Sequence, residues 1–364
     1  MKIRVLCLAA LTSCSGPAAK DSSPSRPAPD RSAAETEELS AEEAYARAVE
    51  ASPEGQAAVY TAQSVAWFKQ AAEKGHVESQ THLGYALAQG AGVQRNPQRA
   101  VHWLTSAAEQ GDSRAAYNFA TMIESGTGTR QDLELAARWY RTAAEGGQPE
   151  AAKRLGFLTL DTDPENAILA LRGAAAGGDA DAQYALGISA LQGRGMARDP
   201  VLARAWLESA AEQGDARAEF QLGWIHATGN GVEQDHAEAA RWYERAAQNG
   251  VPEAMYNLGV QYSKGQGVEA DATLARTWIE QAAALGRPKA MESLARMLVR
   301  GDGAEPDRDG AAQWSYRAGL AYEERGEGPA ARRCLERAAL LFTGTNQERT
   351  LRMPELSAAL ERLP

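Results

Sequence analysis

Residues 216–250 read ARAEFQLGWIHATGNGVEQDHAEAARWYERAAQNG. Ala218, Leu222 and Ile225 fall on one face at helical spacing. Gly229 and Gly231 interrupt the pattern, and Val232 follows as a lone apolar residue able to plug a hairpin. Asp235 stands where an N-cap belongs, because its carboxylate can accept from the free N–H groups of the next turn. A second helical stretch carries Ala239, Ala240, Trp242, Tyr243, Ala246 and Ala247. Gly250 closes it, as a C′ glycine with left-handed dihedrals does. The stretch predicts one helix–loop–helix hairpin.

Every element of it recurs along the 364 residues. Trp67, Trp103 and Trp139 are spaced 36 apart, as are Trp206, Trp242, Trp278 and Trp314; only Trp224 stands outside the series. The paired loop glycines return as Gly90/Gly92, Gly126/Gly128, Gly193/Gly195, Gly265/Gly267 and Gly301/Gly303. The cap column reads Asn96, Asp132, Asp199, Asp271 and Asp307, and Asn96-Pro97 and Asp199-Pro200 place proline at N1, where its missing N–H costs nothing. Stop glycines are Gly75, Gly111, Gly147, Gly178, Gly214 and Gly286. Alanine pairs (107–108, 143–144, 210–211, 282–283) mark close helix approaches, and the in-step tryptophans are expected to form the core behind them. A period of this length means a stacked solenoid in which each unit buries its apolar face only against its neighbours.

In these strings the chain resembles the Sel-one-like repeat family, a longer-looped relative of tetratricopeptide repeats: Leu-Gly at 83–84, 186–187, 222–223 and 258–259, Gly-x-Gly-Val at 90–93, 229–232 and 265–268, and Trp-Tyr before Ala-Ala at 139–144 and 242–247. The resemblance implies an all-α, right-handed α/α superhelical solenoid that acts as an adaptor or scaffold, often outside the bacterial cytoplasm, and no catalytic reaction. A cysteine-rich branch of the family carries a disulfide in each repeat, which this chain, with three cysteines, does not. One repeat departs from the pattern. Leu155-Gly156 runs into Leu160-Asp161-Thr162-Asp163-Pro164 without the glycine loop, five residues short, and Ala170 occupies the tryptophan column, so a weaker or bent stack is expected there.

The ends read differently. Lys2 and Arg4 precede a short apolar run from Val5 to Leu11, too short to span a membrane, that ends in Leu11-Thr12-Ser13-Cys14. This resembles a bacterial lipobox, which implies cleavage before Cys14, acylation of that cysteine, and anchorage to the cell envelope, the outer membrane more than the inner given Ser15. Cleavage moves the formal charge from −10 to −12. Residues 14–36, rich in Ser, Pro, Ala and Asp, read as a tether with a mean reach of roughly 25 Å. The expected organisation is a signal peptide over 1–13, the acylated tether over 14–36, N-terminal capping helices and a half repeat over 37–76, the repeat array over 77–318, and a tetratricopeptide-like hairpin with a capping helix over 319–364.

The acidic balance, with a pI near 5.2, argues against nucleic acid as the partner, since phosphate binding needs a basic stripe. The glycine loops join helix to helix and so are turns rather than phosphate cradles. None of the five histidines sits at metal-ligand spacing, no serine-centred elbow is present, and Cys334 is left alone as a packing residue. No cofactor, metal or catalytic set is expected. In related superhelices the first helix of each hairpin lines the concave side. The positions there that vary in type are His82, Asn118, Gln221 and Asn257 in one column and Tyr85 and Trp224 in the next. The amides and ring nitrogens can bond a peptide backbone while the aromatics pack its side chains. The expected function is therefore a non-catalytic, envelope-anchored scaffold that binds a protein or peptide. The alternatives are an enzyme, or the accessory of one, acting on cell wall or glycan, and a structural spacer.

Overall fold

The structure, a computed structural model, describes residues 39–52, 60–342 and 347–362. Cys14, the expected signal peptide and the tether lie outside them. Among the described residues there are eighteen helices and no strand. α1 (Ala41–Glu50) and α2 (Ala62–Glu73) open the stack. Seven hairpins follow: α3 (Val77–Gln89) with α4 (Pro97–Glu109), α5 (Ser113–Ser125) with α6 (Leu133–Glu145), α7 (Pro149–Thr159) with α8 (Pro164–Ala176), α9 (Ala180–Gln192) with α10 (Pro200–Glu212), α11 (Ala216–Thr228) with α12 (His236–Gln248), α13 (Pro252–Lys264) with α14 (Ala272–Ala284), and α15 (Pro288–Arg300) with α16 (Arg308–Glu324). α17 (Gly328–Leu341) and α18 (Gln347–Arg362) close the stack. Each helix packs on the next in chain order.

The caps fold as the sequence predicts. Asn96, Asp132, Asp199, Asp235, Asp271 and Asp307 each accept a backbone N–H of the following turn. Their own N–H groups close the loop onto a carbonyl nine residues earlier: Asn96 to Leu87, Asp132 to Ile123, Asp199 to Ala190, Asp235 to His226, Asp271 to Tyr262 and Asp307 to Leu298. The stop glycines make paired terminal bonds, as where Gly111 N–H donates to Ala108 and Asp112 N–H to Ala107.

The second loop glycine serves the neighbouring hairpin. A Cβ at Gly128 would lie 2.4 Å from the Pro97 carbonyl oxygen, at Gly195 2.2 Å from that of Pro164, and at Gly267 2.1 Å from that of His236. Each loop thus rests on the first residue of the second helix of the preceding hairpin. Positive φ and bare backbone are both required, and only glycine supplies both.

The core differs from the expectation in one column. All seven in-step tryptophans are half-buried, not core. The residue after six of them carries the packing: Phe68, Leu104, Tyr140, Leu207, Tyr243 and Ile279 are at most 3% exposed. Their side chains fill the hollow over a small residue of the hairpin's first helix. A Cβ on Gly84, Gly187 or Gly259 would meet Leu104, Leu207 or Ile279 at 2.6–2.7 Å. Burying one such side chain contributes about 2 kcal/mol. The tryptophans instead flank this seam, and arginines cover Trp67, Trp242 and Trp314 (Arg47, Arg245 and Arg317).

The shortened repeat keeps the seam, with Leu171 over Gly156, which is why the stack runs on through it. It has no loop glycine to cover the start of α6, and Leu133 there stays 48% exposed. The buried core is interrupted at the same place, one cluster ending at Ala151 and the next beginning at Ile168. At the C-terminal end, the boundary expected at 318/319 falls inside α16, which pairs with both α15 and α17. Gly319 packs on Leu335 of α17 as the repeat glycines do on their partners. Cys334 is buried and free, and burial pushes its thiol up to about 11.

Candidate functional site

Among the first helices of neighbouring hairpins, α3 touches α5 and α11 touches α13. The candidate groove residues of the sequence lie on this first-helix side. Each first helix carries there a stripe at helical spacing, in α11 Arg217, Gln221, Trp224 and Thr228, and in α9 Asp181, Tyr184, Ile188 and Gln192. Three exposed aromatics, Tyr85 (40%), Phe157 (38%) and Trp224 (39%), occupy one column of these stripes, the position after the small seam residue.

Gln221 and Trp224 meet in a cavity of about 520 Å³ between α9 and α11, lined also by Tyr184, Ile188, Phe220 and Arg198. Its walls are held. The Arg217 guanidinium lies 4.5 Å over the Tyr184 ring while pairing with Asp215 and Asp181. Gln221 stands beside the Tyr184 hydroxyl, whose pKa burial raises. Arg198 donates to the Leu191 carbonyl at 3.1 Å and to Asn230 Oδ1 at 2.6 Å, so two successive loops close one end. Such a pocket offers an apolar floor, a half-exposed indole, and fixed amide and guanidinium donors at its rim.

The other expected positions are spread out. His82 is half-buried; its Nδ1 shares a 2.8 Å hydrogen bond with the Tyr60 hydroxyl, and its ring stacks on Phe68 at 4.7 Å. Burial holds its pKa below the usual histidine value. Tyr85 extends this cluster, 5.6 Å from Tyr60, so these two residues form a separate aromatic site at the N-terminal end. Asn257 is half-buried on α13, beside the Tyr243 hydroxyl of the preceding second helix, whose pKa burial raises. Asn118 is half-buried on α5, apart from both sites. The sequence reading missed Phe157, which stands 36 residues beyond Thr121 and so in step, because the lost loop after it took its repeat out of the comparison; alignment on Gly156 would have placed it. It also missed Arg198, although Arg95, Gln131 and Gln234 occupy the same loop column and make the same bond to a carbonyl seven residues back.

Among the described residues, no group of three or more His, Cys, Asp or Glu side chains is placed to hold a metal ion, and no helix is long and apolar enough to cross a membrane.

The model of the Sel1 repeat matches residues 61–76, 77–112, 113–148, 180–215, 216–251, 252–286 and 288–321. The chain belongs to the Sel1 repeat family. The matched segments leave out the shortened hairpin. Among solved structures, the Sel1 chain is similar to a protective antigen of uropathogenic Escherichia coli strains displaying an SLR fold, at 30% identity and a TM-score of 0.62 over 83% of this chain and 67% of that one. It is likewise similar to a Sel1 repeat protein from Oxalobacter formigenes, at 30% identity and a TM-score of 0.58 over 79% of this chain and 87% of that one. No curated protein matches it. Sel1 repeats generally serve as protein–protein interaction scaffolds.

Proposed function

We propose that this Sel1 solenoid binds an extended peptide segment of a partner protein along its first-helix groove, without turnover, while a lipid on Cys14 holds it at the bacterial envelope. The observation that carries the reading is the pocket at Trp224: the one tryptophan outside the repeat rhythm lines a cavity on the first-helix side. An indole offers a large contact area at low entropic cost, the usual property of an interface anchor. Gln221 keeps donor and acceptor capacity for a peptide backbone. The Escherichia coli relative's description as a protective antigen supports display at a cell surface.

Crosslinking in intact cells, with wild type and Trp224→Ala compared by mass spectrometry, tests the groove. A partner captured by the wild type and lost from a folded Trp224→Ala variant is the expected result. Equal capture by both removes the groove, and hydrolysis of muropeptides by the purified protein removes the non-catalytic reading. Labelling with a palmitate analogue tests the anchor, which fails if labelling survives Cys14→Ser.

A further inference from the structure

The Trp224 pocket has a counterpart two repeats further on. A cavity of about 250 Å³ between α13 and α15 is lined by Val260, Ser263, Lys264, Ser293, Arg296, Arg300 and Asp302, among others. Six of these stand 72 residues beyond a lining residue of the first pocket: Val260 beyond Ile188, Ser263 beyond Leu191, Lys264 beyond Gln192, Ser293 beyond Gln221, Arg296 beyond Trp224 and Asp302 beyond Asn230. The same inter-repeat hollow is thus built twice with different chemistry. The column of Trp224 reads Tyr85, Thr121, Phe157, Ile188, Trp224, Val260 and only then Arg296. The last position of the first helices reads Gln89, Ser125, Gln192 and Thr228 before it turns basic at Lys264 and Arg300.

Three cations therefore converge on one end of the groove in a chain whose formal charge is −10. Lys264 and Arg300 have no hydrogen-bond or ion-pair partner among the described residues. Arg296 is steered by Glu292 at 4.0 Å and donates to Ser293 Oγ at 3.4 Å, but Glu292 is also engaged by Arg337 at 3.6 Å. Asp302 is the one acidic lining residue against three basic ones, and Ser263 and Ser293 add hydroxyl donors. Guanidinium and ammonium groups held around a hollow are suited to a carboxylate, through charge-assisted and, for arginine, bidentate hydrogen bonds.

We infer that this second pocket is a carboxylate subsite, so that the groove selects an acidic peptide and fixes its direction, an apolar or aromatic side chain at Trp224 and an Asp, Glu or C-terminal carboxylate at Arg296, Arg300 and Lys264. The inference rests on the peptide-groove reading. First helices stacked about 10 Å apart put the two pockets roughly 20 Å from each other. That is about six residues of extended chain.

The test is selection of a random decapeptide library, displayed with free C-termini, on the full chain and on the Trp224→Ala and Arg296→Gln/Arg300→Gln variants, each verified as folded by circular dichroism. The expected result is enrichment of an apolar or aromatic residue about six positions from an acidic residue or the C-terminus. The tightest selected peptide should then bind about tenfold more weakly when its acid is amidated, or to the Arg296→Gln/Arg300→Gln variant. Amidating side chain and terminus separately tells the two carboxylates apart. Peptides captured through Trp224 with no acidic preference, or with one that survives loss of both arginines, overturn the subsite and leave the groove standing. A library from which the wild type retains nothing overturns both. Lys264→Gln, at an exposed helix end, provides a second variant should the double one misfold.

Discussion

Two glycine substitutions separate backbone strain from the stacking of one repeat on the next. Gly250 and Gly267 both have positive φ, 85° and 75°. A Cβ at Gly250 meets nothing within 4 Å, whereas one at Gly267 lies 2.1 Å from the backbone carbon and oxygen of His236. Left-handed dihedrals cost an alanine about 1–2 kcal/mol. Stiffening of the unfolded chain returns ~0.4–1 kcal/mol of that. Gly250→Ala should therefore lose about 1 kcal/mol. At Gly267 the clash is with main chain, so the loop must retreat by about 1 Å from the start of α12, an overpacking that adds some 1–3 kcal/mol. Gly267→Ala should lose about 3 kcal/mol in total. Urea unfolding followed at 222 nm and by tryptophan fluorescence measures both, and hydrogen exchange at the start of α12 shows whether the loss is local. Equal losses for the two variants would refute the claim that the second loop glycine exists for its neighbour.

Three further outcomes follow from single side chains. Tyr140, fully buried, donates its one hydroxyl proton to Glu124 at 2.5 Å, with Thr121 Oγ1 3.2 Å away, so Tyr140→Phe should cost about 1–2 kcal/mol in urea unfolding while leaving helicity unchanged. Burial holds the pKa of His82 below the ordinary histidine value of about 6.5, so the unfolded chain binds the proton more readily. The stability this gives is present above pH 6.5 and is lost as pH falls through the folded value; a His82→Phe variant should show a flatter stability profile below pH 7, and an unchanged slope would count against the assignment. Cys334, with its thiol raised to about 11 and 1% exposed, should resist iodoacetamide in the native protein and react fully in urea, read at the peptide containing residue 334 by mass spectrometry.

Hairpin boundaries are legible in the sequence because each is set by local chemistry. An Asp or Asn followed by helix formers, and a glycine pair before it, report on their own few residues, and the caps form where those residues stand. The core column was harder to read. Tryptophan is rare and keeps time visibly, but the buried seam beside it changes type from Phe68 to Leu104 to Tyr140 to Ile279, because what is conserved there is volume over a small residue and not identity. The pocket was half legible. Trp224 and Gln221 stood out in their columns, whereas Tyr184 and Arg198 reach the cavity only through the stacking of α9 on α11, which no single repeat encodes. Asn257 stands half-buried beside the Tyr243 phenol, away from the Trp224 cavity.

The loops that rest on their predecessors also give the stack a direction. The exposed start of a second helix is completed only when the following hairpin packs on it, so each repeat seals the one before. That sequence of seals has one gap, at Leu133, where the shortened hairpin brings no loop. The buried side chains fall into four clusters along the stack, and one of the breaks between them, from Ala151 to Ile168, lies at this shortened hairpin.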